Sequence, residues 1–393
     1  MKYALSSVLL LTVFTVKAQK QTVLPDSLAS GVIHQVGVEF RPNYVTPTKD
    51  FFKGNNQAGK PIRGYYSAHL KYAFRFSNHT EPGRLYPYAY QGVGVSYGSF
   101  LNSRELGNPL TVYVFQGSRI ARLASNLSLD YEWNFGASFG WKPRDEVDNA
   151  FNQVVGSKIN AYLNLGILVD WRFAPQWNLT AGIDLTHFSN GNTHYPNAGV
   201  NPVGVRVGVT RTWGAEGGGR LADSPRTTFR PFLCYDVLLY GACRMRGVVW
   251  KDNAYLLPGK FAVAGFNFAP MYHWNKNFAA GISLDAQYDE SANLTEHVAG
   301  VGGDGEIKFH RPPLREQLSL GLSCRGELVT PIFSLNAGLG YNVVHTGGDT
   351  KGFYQVLALK ALLGRHLFLH VGYQLRDFHE PNNLMLGVGF RFR

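Results

Sequence analysis

A histidine, a serine and an asparagine stand in one short stretch of this chain at spacings that suit nucleophilic catalysis. The run His187-Phe188-Ser189-Asn190-Gly191 is followed by Asn192-Thr193-His194-Tyr195-Pro196-Asn197-Ala198-Gly199-Val200-Asn201. A hydroxyl beside an imidazole, with an amide to orient the imidazole, supplies nucleophile, base and orienter. Such a group attacks an acyl carbonyl, and the Gly191 amide would receive the oxyanion. The same residue types also do ordinary turn chemistry, because Ser and Asn cap backbone groups. The two readings separate on where the flanking elements aim these side chains.

Those elements read as strands. Between 32 and 393 the hydropathy alternates with period two almost throughout. Leu127–Trp141 carries Leu127, Leu129, Tyr131, Trp133, Phe135 and Phe139 on one face, and Ser128, Asp130, Glu132, Asn134 and Ser138 on the other. The segment 159–173 repeats the pattern, with Asn160, Asn164, Asp170 and Arg172 on its polar face. Successive strand residues point to opposite sides, so each segment is apolar outside and polar inside. Soluble sandwiches alternate in the same way, but with strands of about 5–6 residues. These segments run ten to fifteen, the length that crosses a bilayer at a tilt.

Connections alternate as well. Short turns at 174–176, 275–277, 330–331 and 364–366 are interleaved with long polar loops such as 43–62, 142–157 and 291–315. Short turns on one side and long loops on the other characterise antiparallel barrels of the bacterial outer membrane. The expected fold is therefore all-β: a transmembrane barrel of about sixteen strands, eight on each side of 214–228. A single barrel is preferred to two tandem eight-stranded barrels, because two complete barrels in one chain are rare. The final strand, with Leu384, Leu386, Val388, Phe390 and Phe392 on one face, resembles the assembly signal of such proteins.

This frame decides the parity of the candidate site. Trp177, Leu179, Ala181, Ile183, Leu185, His187 and Ser189 share the lipid-facing side of one strand. Asn201 shares the parity of Val203, Val205, Val207 and Val209 on the strand that returns beside it. All three candidates thus fall on the outer wall at the rim, where polar groups are costly and mark function. Asp184 has the inward parity and is not expected to serve as a triad acid, and His194 reads as a loop residue.

The composition fits the frame. Of 393 residues, 45% are hydrophobic, 14% aromatic and only 17% charged, with 44 glycines. That is too apolar and aromatic for a disordered chain and too poor in charge for a coiled coil. Residues 1–18 read as a signal peptide: Lys2, an apolar run of thirteen residues at 4–16, and a small-residue cut after Ala18. The remaining organisation is a barrel half at 19–213 carrying the site, a periplasmic turn or linker at 214–228, and a second set of strands at 229–393. Cys234, Cys243 and Cys324 are odd in number and lack metal-ligand spacing, so neither a disulfide framework nor a zinc site is implied. A net charge of +11 on an exported chain points to anionic lipid headgroups rather than nucleic acid.

At His-x-Ser-Asn followed by Pro-Asn-x-Gly, ahead of an apolar strand, the sequence resembles the PagL-type lipid A 3-O-deacylases of the outer membrane. The resemblance implies a serine esterase that hydrolyses an ester-linked acyl chain of lipid A, without a cofactor. Its His, Ser and Glu triad falls on His187, Ser189 and Asn201, and its oxyanion-side Asn on Asn197. His187 to Gly191, with Asn as the third member, also resembles outer-membrane phospholipase A. That family takes phospholipid and uses calcium, and it places Arg where this chain has Asn192. The non-enzymatic alternative is a porin or structural barrel with a relic site, its lumen lined by groups such as Asn160, Asp170, Arg172 and Arg206. Expected partners are lipopolysaccharide or phospholipid of the outer leaflet and the bilayer itself; the sequence leaves a homodimer open.

Overall fold

In hydrocarbon a strand finds no water to satisfy its backbone, so a spanning sheet must close on itself. The computed structural model describes residues 31–214, 228–303, 306–378 and 380–393, and in it closure happens twice. The first barrel consists of β1 (Val32–Thr46), β2 (Gly64–Phe76), β3 (Tyr90–Ser99), β4 (Gly107–Ala124), β5 (Leu127–Trp141), β6 (Ile159–Ala174), β7 (Trp177–Ser189) and β8 (Asn201–Gly214). Neighbours pair antiparallel in sequence order, and β1 closes onto β8 with Val38 opposite Val209. The second barrel begins at Phe232–Arg244, which closes onto the last strand, Glu380–Phe392, with Leu239 opposite Val388. The expected signal peptide at 1–18 lies outside the described residues, as does most of the linker at 214–228.

The preference for one sixteen-stranded barrel is therefore overturned in favour of two tandem eight-stranded ones. The physical reason lies in the interiors. Eight strands enclose a space just wide enough to be filled by side chains, and each half carries its own set of inward charges. In the first, Lys71 Nζ lies 2.7 Å from both Glu39 and Glu132, and Arg206 bonds Glu132 at 2.8 Å and Asp184 at 3.1 Å. In the second, Asp236 sits between Lys360 at 2.8 Å and Arg391 at 2.7 Å, and Glu327 lies 2.6 Å from Lys360. Each of these charges finds its counter-charge within its own half. Pairing offsets the desolvation of these ions only because their hydrogen bonds are also made.

The outer wall is the reverse. Val38, Leu70, Ile183 and Leu185 are all more than half exposed. Among the described residues no helix is long and apolar enough to cross a membrane. At the long-loop end the first barrel is stoppered by Phe51 and Phe52 of the 47–63 loop, packed over Tyr65, Phe100, Trp141, Tyr162 and Phe188. Arg41 and Arg206, each 1% exposed, fill the space below. Inward Arg206 is thus part of a packed interior rather than of an open lumen.

The two barrels meet along their walls. The rings of Trp133 and Phe333 stack edge to face at 5.2 Å, with Leu359 beside them. Outward-facing Gln116 is fully buried there and accepts a bond from Trp133 Nε1 at 2.8 Å. At the short-turn end Lys276 Nζ donates to Leu85 O at 2.6 Å.

Two outcomes follow from the filled interiors. Reconstituted protein is expected to give no liposome swelling with small sugars. Glu132→Ala, which leaves Lys71 to Glu39 and Arg206 to Asp184 but takes one carboxylate from the cluster, is expected to cost the first barrel about 3 kcal/mol. Urea unfolding in vesicles, followed by tryptophan fluorescence, reads that loss.

Candidate active site

The hairpin β7–β8 builds the site. Regular pairing runs up to Leu185 opposite Val203. A further bridge joins Phe188 to Val200, each N–H donating to the other's carbonyl, at 2.9 and 3.0 Å. Extending this register brings His187 opposite Asn201, and alternation sends both outward. Phe188, between the two candidate side chains, points inward and is 1% exposed. Its ring packs on Trp141 at 5.0 Å, Tyr162 at 5.3 Å and Tyr65 at 5.7 Å. This aromatic anchor fixes the backbone from which His187 and Ser189 project.

On the outside, His187 Nδ1 lies 2.6 Å from Asn201 Oδ1. An amide oxygen only accepts, so the proton of the neutral imidazole sits on Nδ1 and the Nε2 lone pair is left as the base. Ser189 is two residues further along the same strand face, roughly 6.5 Å at the backbone. An imidazole and a hydroxyl at that separation can turn to meet. His187 is exposed and Ser189 half-buried, so an incoming carbonyl can reach the hydroxyl from the lipid side.

The loop after Ser189 folds back against the first barrel. Asn197 Oδ1 accepts from the Asn190 N–H at 3.0 Å, and Asn197 Nδ2 donates to Asn192 Oδ1 at 3.1 Å. One N–H of that amide is thereby used as a brace between Asn190 and Asn192. Asn190 Nδ2 donates to His194 O at 3.0 Å. The return limb is held by Ala198 N to Val154 O at 3.2 Å and by Thr48 Oγ1 to Gly199 O at 2.9 Å. Gly191 and Asn192 follow one another at φ of 62° and 64°, which turns the chain sharply just past the serine.

Gly199 has a positional role. Its φ is 73°, and a methyl group built on it would lie 2.9 Å from His187 Cε1. Glycine here lets the returning backbone pass directly under the imidazole. The Pro-Asn-x-Gly segment carried the signal for this residue. Thr48 carried none, since it comes from another loop.

The other sequence candidates separate from the site. Asp184 faces inward onto Arg206, as its parity implies. His194 is a loop residue and does not join His187. Its ring bonds Thr193, and Lys260 Nζ lies 3.1 Å from its Nε2. Partial burial, with the ammonium of Lys260, holds its pKa below the usual histidine value.

Comparison with known proteins divides at the same boundary as the fold. The family model described as lipid A 3-O-deacylase (PagL) matches residues 64–210. The model described as acyloxyacyl hydrolase, C-terminal domain, matches residues 233–393. No curated protein matches. Among solved structures, the chain is similar to Neisserial surface protein A at 9% identity, covering 46% of this chain and 97% of that one with a TM-score of 0.28. It is similar to the outer membrane protein Omp33 of Acinetobacter baumannii at 10% identity, covering 92% and 99% with a TM-score of 0.16.

The imidazole contact supplies a direct test of the geometry. Gly199→Ala is expected to push His187 off Asn201 and to lower any His187-dependent turnover by about a hundredfold, the cost of roughly an ångström of misplacement. Heat-modified gel mobility, which reports barrel assembly, should be unchanged.

Proposed function

The chain belongs to the PagL-type lipid A 3-O-deacylase family, and from that premise we propose that Ser189, His187 and Asn201 are the nucleophile, base and orienter of its reaction. Family membership makes the protein an outer-membrane ester hydrolase that removes acyl chains from lipid A. The observation that carries the assignment of residues is the 2.6 Å contact of His187 Nδ1 with Asn201 Oδ1 on the lipid-facing wall. The bilayer presents the substrate from that side.

In the proposed reaction, His187 Nε2 takes the proton of Ser189 Oγ as the oxygen attacks the acyl carbonyl. The carbonyl π pair moves onto oxygen, and the Gly191 amide and the second N–H of Asn197 Nδ2 receive that oxyanion. Loss of one such donor typically costs about 2.7–4 kcal/mol. Collapse of the tetrahedral adduct breaks the bond to the sugar oxygen, which leaves with the proton from His187. Water then repeats the sequence on the acyl-serine and releases the fatty acid. Asn201 keeps the imidazole in the Nδ1–H tautomer, but as a neutral amide it stabilises the transient imidazolium only through its dipole.

No metal is assigned a role. The site as proposed offers an imidazole, amides and a hydroxyl, and among the described residues no cluster of three or more His, Cys, Asp or Glu side chains is placed to hold a cation. Asn201 gives a second reading some support, because a neutral third member also fits the phospholipase resemblance. All the side chains of the proposed site come from one chain, so turnover is expected to be first order in protein whether or not copies pair.

Expression in a strain with intact lipopolysaccharide, followed by mass spectrometry of lipid A and phospholipids, separates these readings. Lipid A is expected to lose one acyl chain, Ser189→Ala and His187→Ala to abolish the loss, and EDTA to leave it intact. Full activity in either variant would sink the assignment, and calcium-dependent phospholipid cleavage would favour the second reading. Asn201→Asp is expected to move the acid limb of the pH–rate profile to higher pH, because a carboxylate beside the imidazole favours its protonated form.

A further inference from the structure

The loop that follows Ser189 is held from two sides, and the sides belong to different barrels. Residues 196–199 are braced by the first barrel through Val154 and Thr48. The tip at 191–195 is braced by the second. Met245, just past the strand Phe232–Arg244, donates its N–H to Asn192 O at 3.0 Å. Leu384, on the outer face of Glu380–Phe392, packs against Gly191 so closely that an added methyl would lie 2.7 Å from its Cγ. Lys260 reaches His194, as described. The stretch gripped in this way contains the Gly191 amide and the two consecutive positive-φ residues that aim it.

A left-handed asparagine directly after a left-handed glycine persists when its surroundings over-determine it. We propose that the second barrel is a working part of the active site, with Leu384 and Met245 as positioning residues that hold the oxyanion-binding turn 191–192 in its catalytic shape. The inference rests on the reading of Ser189 as nucleophile. It divides the labour between the barrels. The first supplies nucleophile, base and orienter, and the second keeps the oxyanion donor pointed at the reacting carbonyl. Neither Leu384 nor Met245 touches the reacting atoms, so both act on the turn rather than on substrate affinity. A loosened donor weakens the transition state while leaving the bound ester alone, which places the effect in kcat.

The test uses the full chain in detergent–lipopolysaccharide micelles. Leu384→Ala is expected to lower kcat about tenfold to a hundredfold with KM within about twofold, and Leu384→Met to restore most of it. Leu386→Ala, two residues along the same outer face and itself half exposed, is expected to leave both constants unchanged. Gly191→Ala is expected to be severely impaired, and Gly191→Ala with Leu384→Ala to be at least about fivefold more active than the product of the single effects predicts. Full kcat in assembled Leu384→Ala, or strictly multiplicative effects in the double variant, overturns the proposal. If Leu384→Ala does not assemble, Leu384→Val carries the same test. Ser189→Ala separates the two levels: an active Ser189→Ala removes the nucleophile assignment itself. An inactive Ser189→Ala beside a fully active Leu384→Ala removes only the role of the second barrel.

Discussion

Closure of the backbone after eight strands is the constraint on which the rest of this protein depends. Once β8 pairs with β1, each strand has a partner on both edges and the enclosed space is too narrow to remain open. The inward positions must then be filled and their charges matched locally. Lys71, Glu132 and Arg206 meet that demand in one barrel, and Asp236, Lys360 and Arg391 in the other. A filled interior leaves no room there for a lipid substrate. The proposed chemistry accordingly lies on the outer wall at the rim, where strands end and loops can supply amides.

A catalytic group on a lipid-facing wall faces a cost that a soluble active site avoids. Unpaired charge at that surface is expensive, whereas a hydrogen-bonded neutral pair is cheaper. His187 and Asn201 are such a pair in the resting state, each satisfying the other at 2.6 Å. Replacing a carboxylate by an amide lowers the cost of the ground state and gives up part of the electrostatic support for the imidazolium. The same economy governs Gln116, an outward polar side chain that is buried beneath the second barrel and bonded to Trp133. Both cases show polar groups on the outer wall kept only with a partner in place.

The site's precision comes from what lies behind and beside it. Phe188 anchors the strand from inside, Gly199 lets the return limb pass under the imidazole, and Met245 and Leu384 close on the loop tip from the neighbouring barrel. Ser189 and His187 are thus placed on a strand anchored from inside, and the proposed oxyanion-side amide on a loop held by its contacts. That division gives a physical reason for a second barrel to accompany the proposed triad, whose residues all lie on the first.

Parity was legible in the chain. A strand repeats every two residues, so the run from Trp177 to Ser189 dictates that His187 and Ser189 share the lipid side, and Asn201 follows by its own strand's alternation. The inward position of Asp184 and the position of the short turns were readable for the same reason. The number of barrels was not, because the edge of β8 carries the same alternating pattern whether it meets β1 or Phe232–Arg244; only the pairing of inward charges within each half distinguishes the two. Nor could the chain announce that Leu384 lies under Gly191 or that Met245 bonds Asn192. Local periodicity aims a side chain to one face of its own strand. Contacts between residues far apart in sequence depend on which edges close and which walls then dock, and these are decided by the packing of the whole fold.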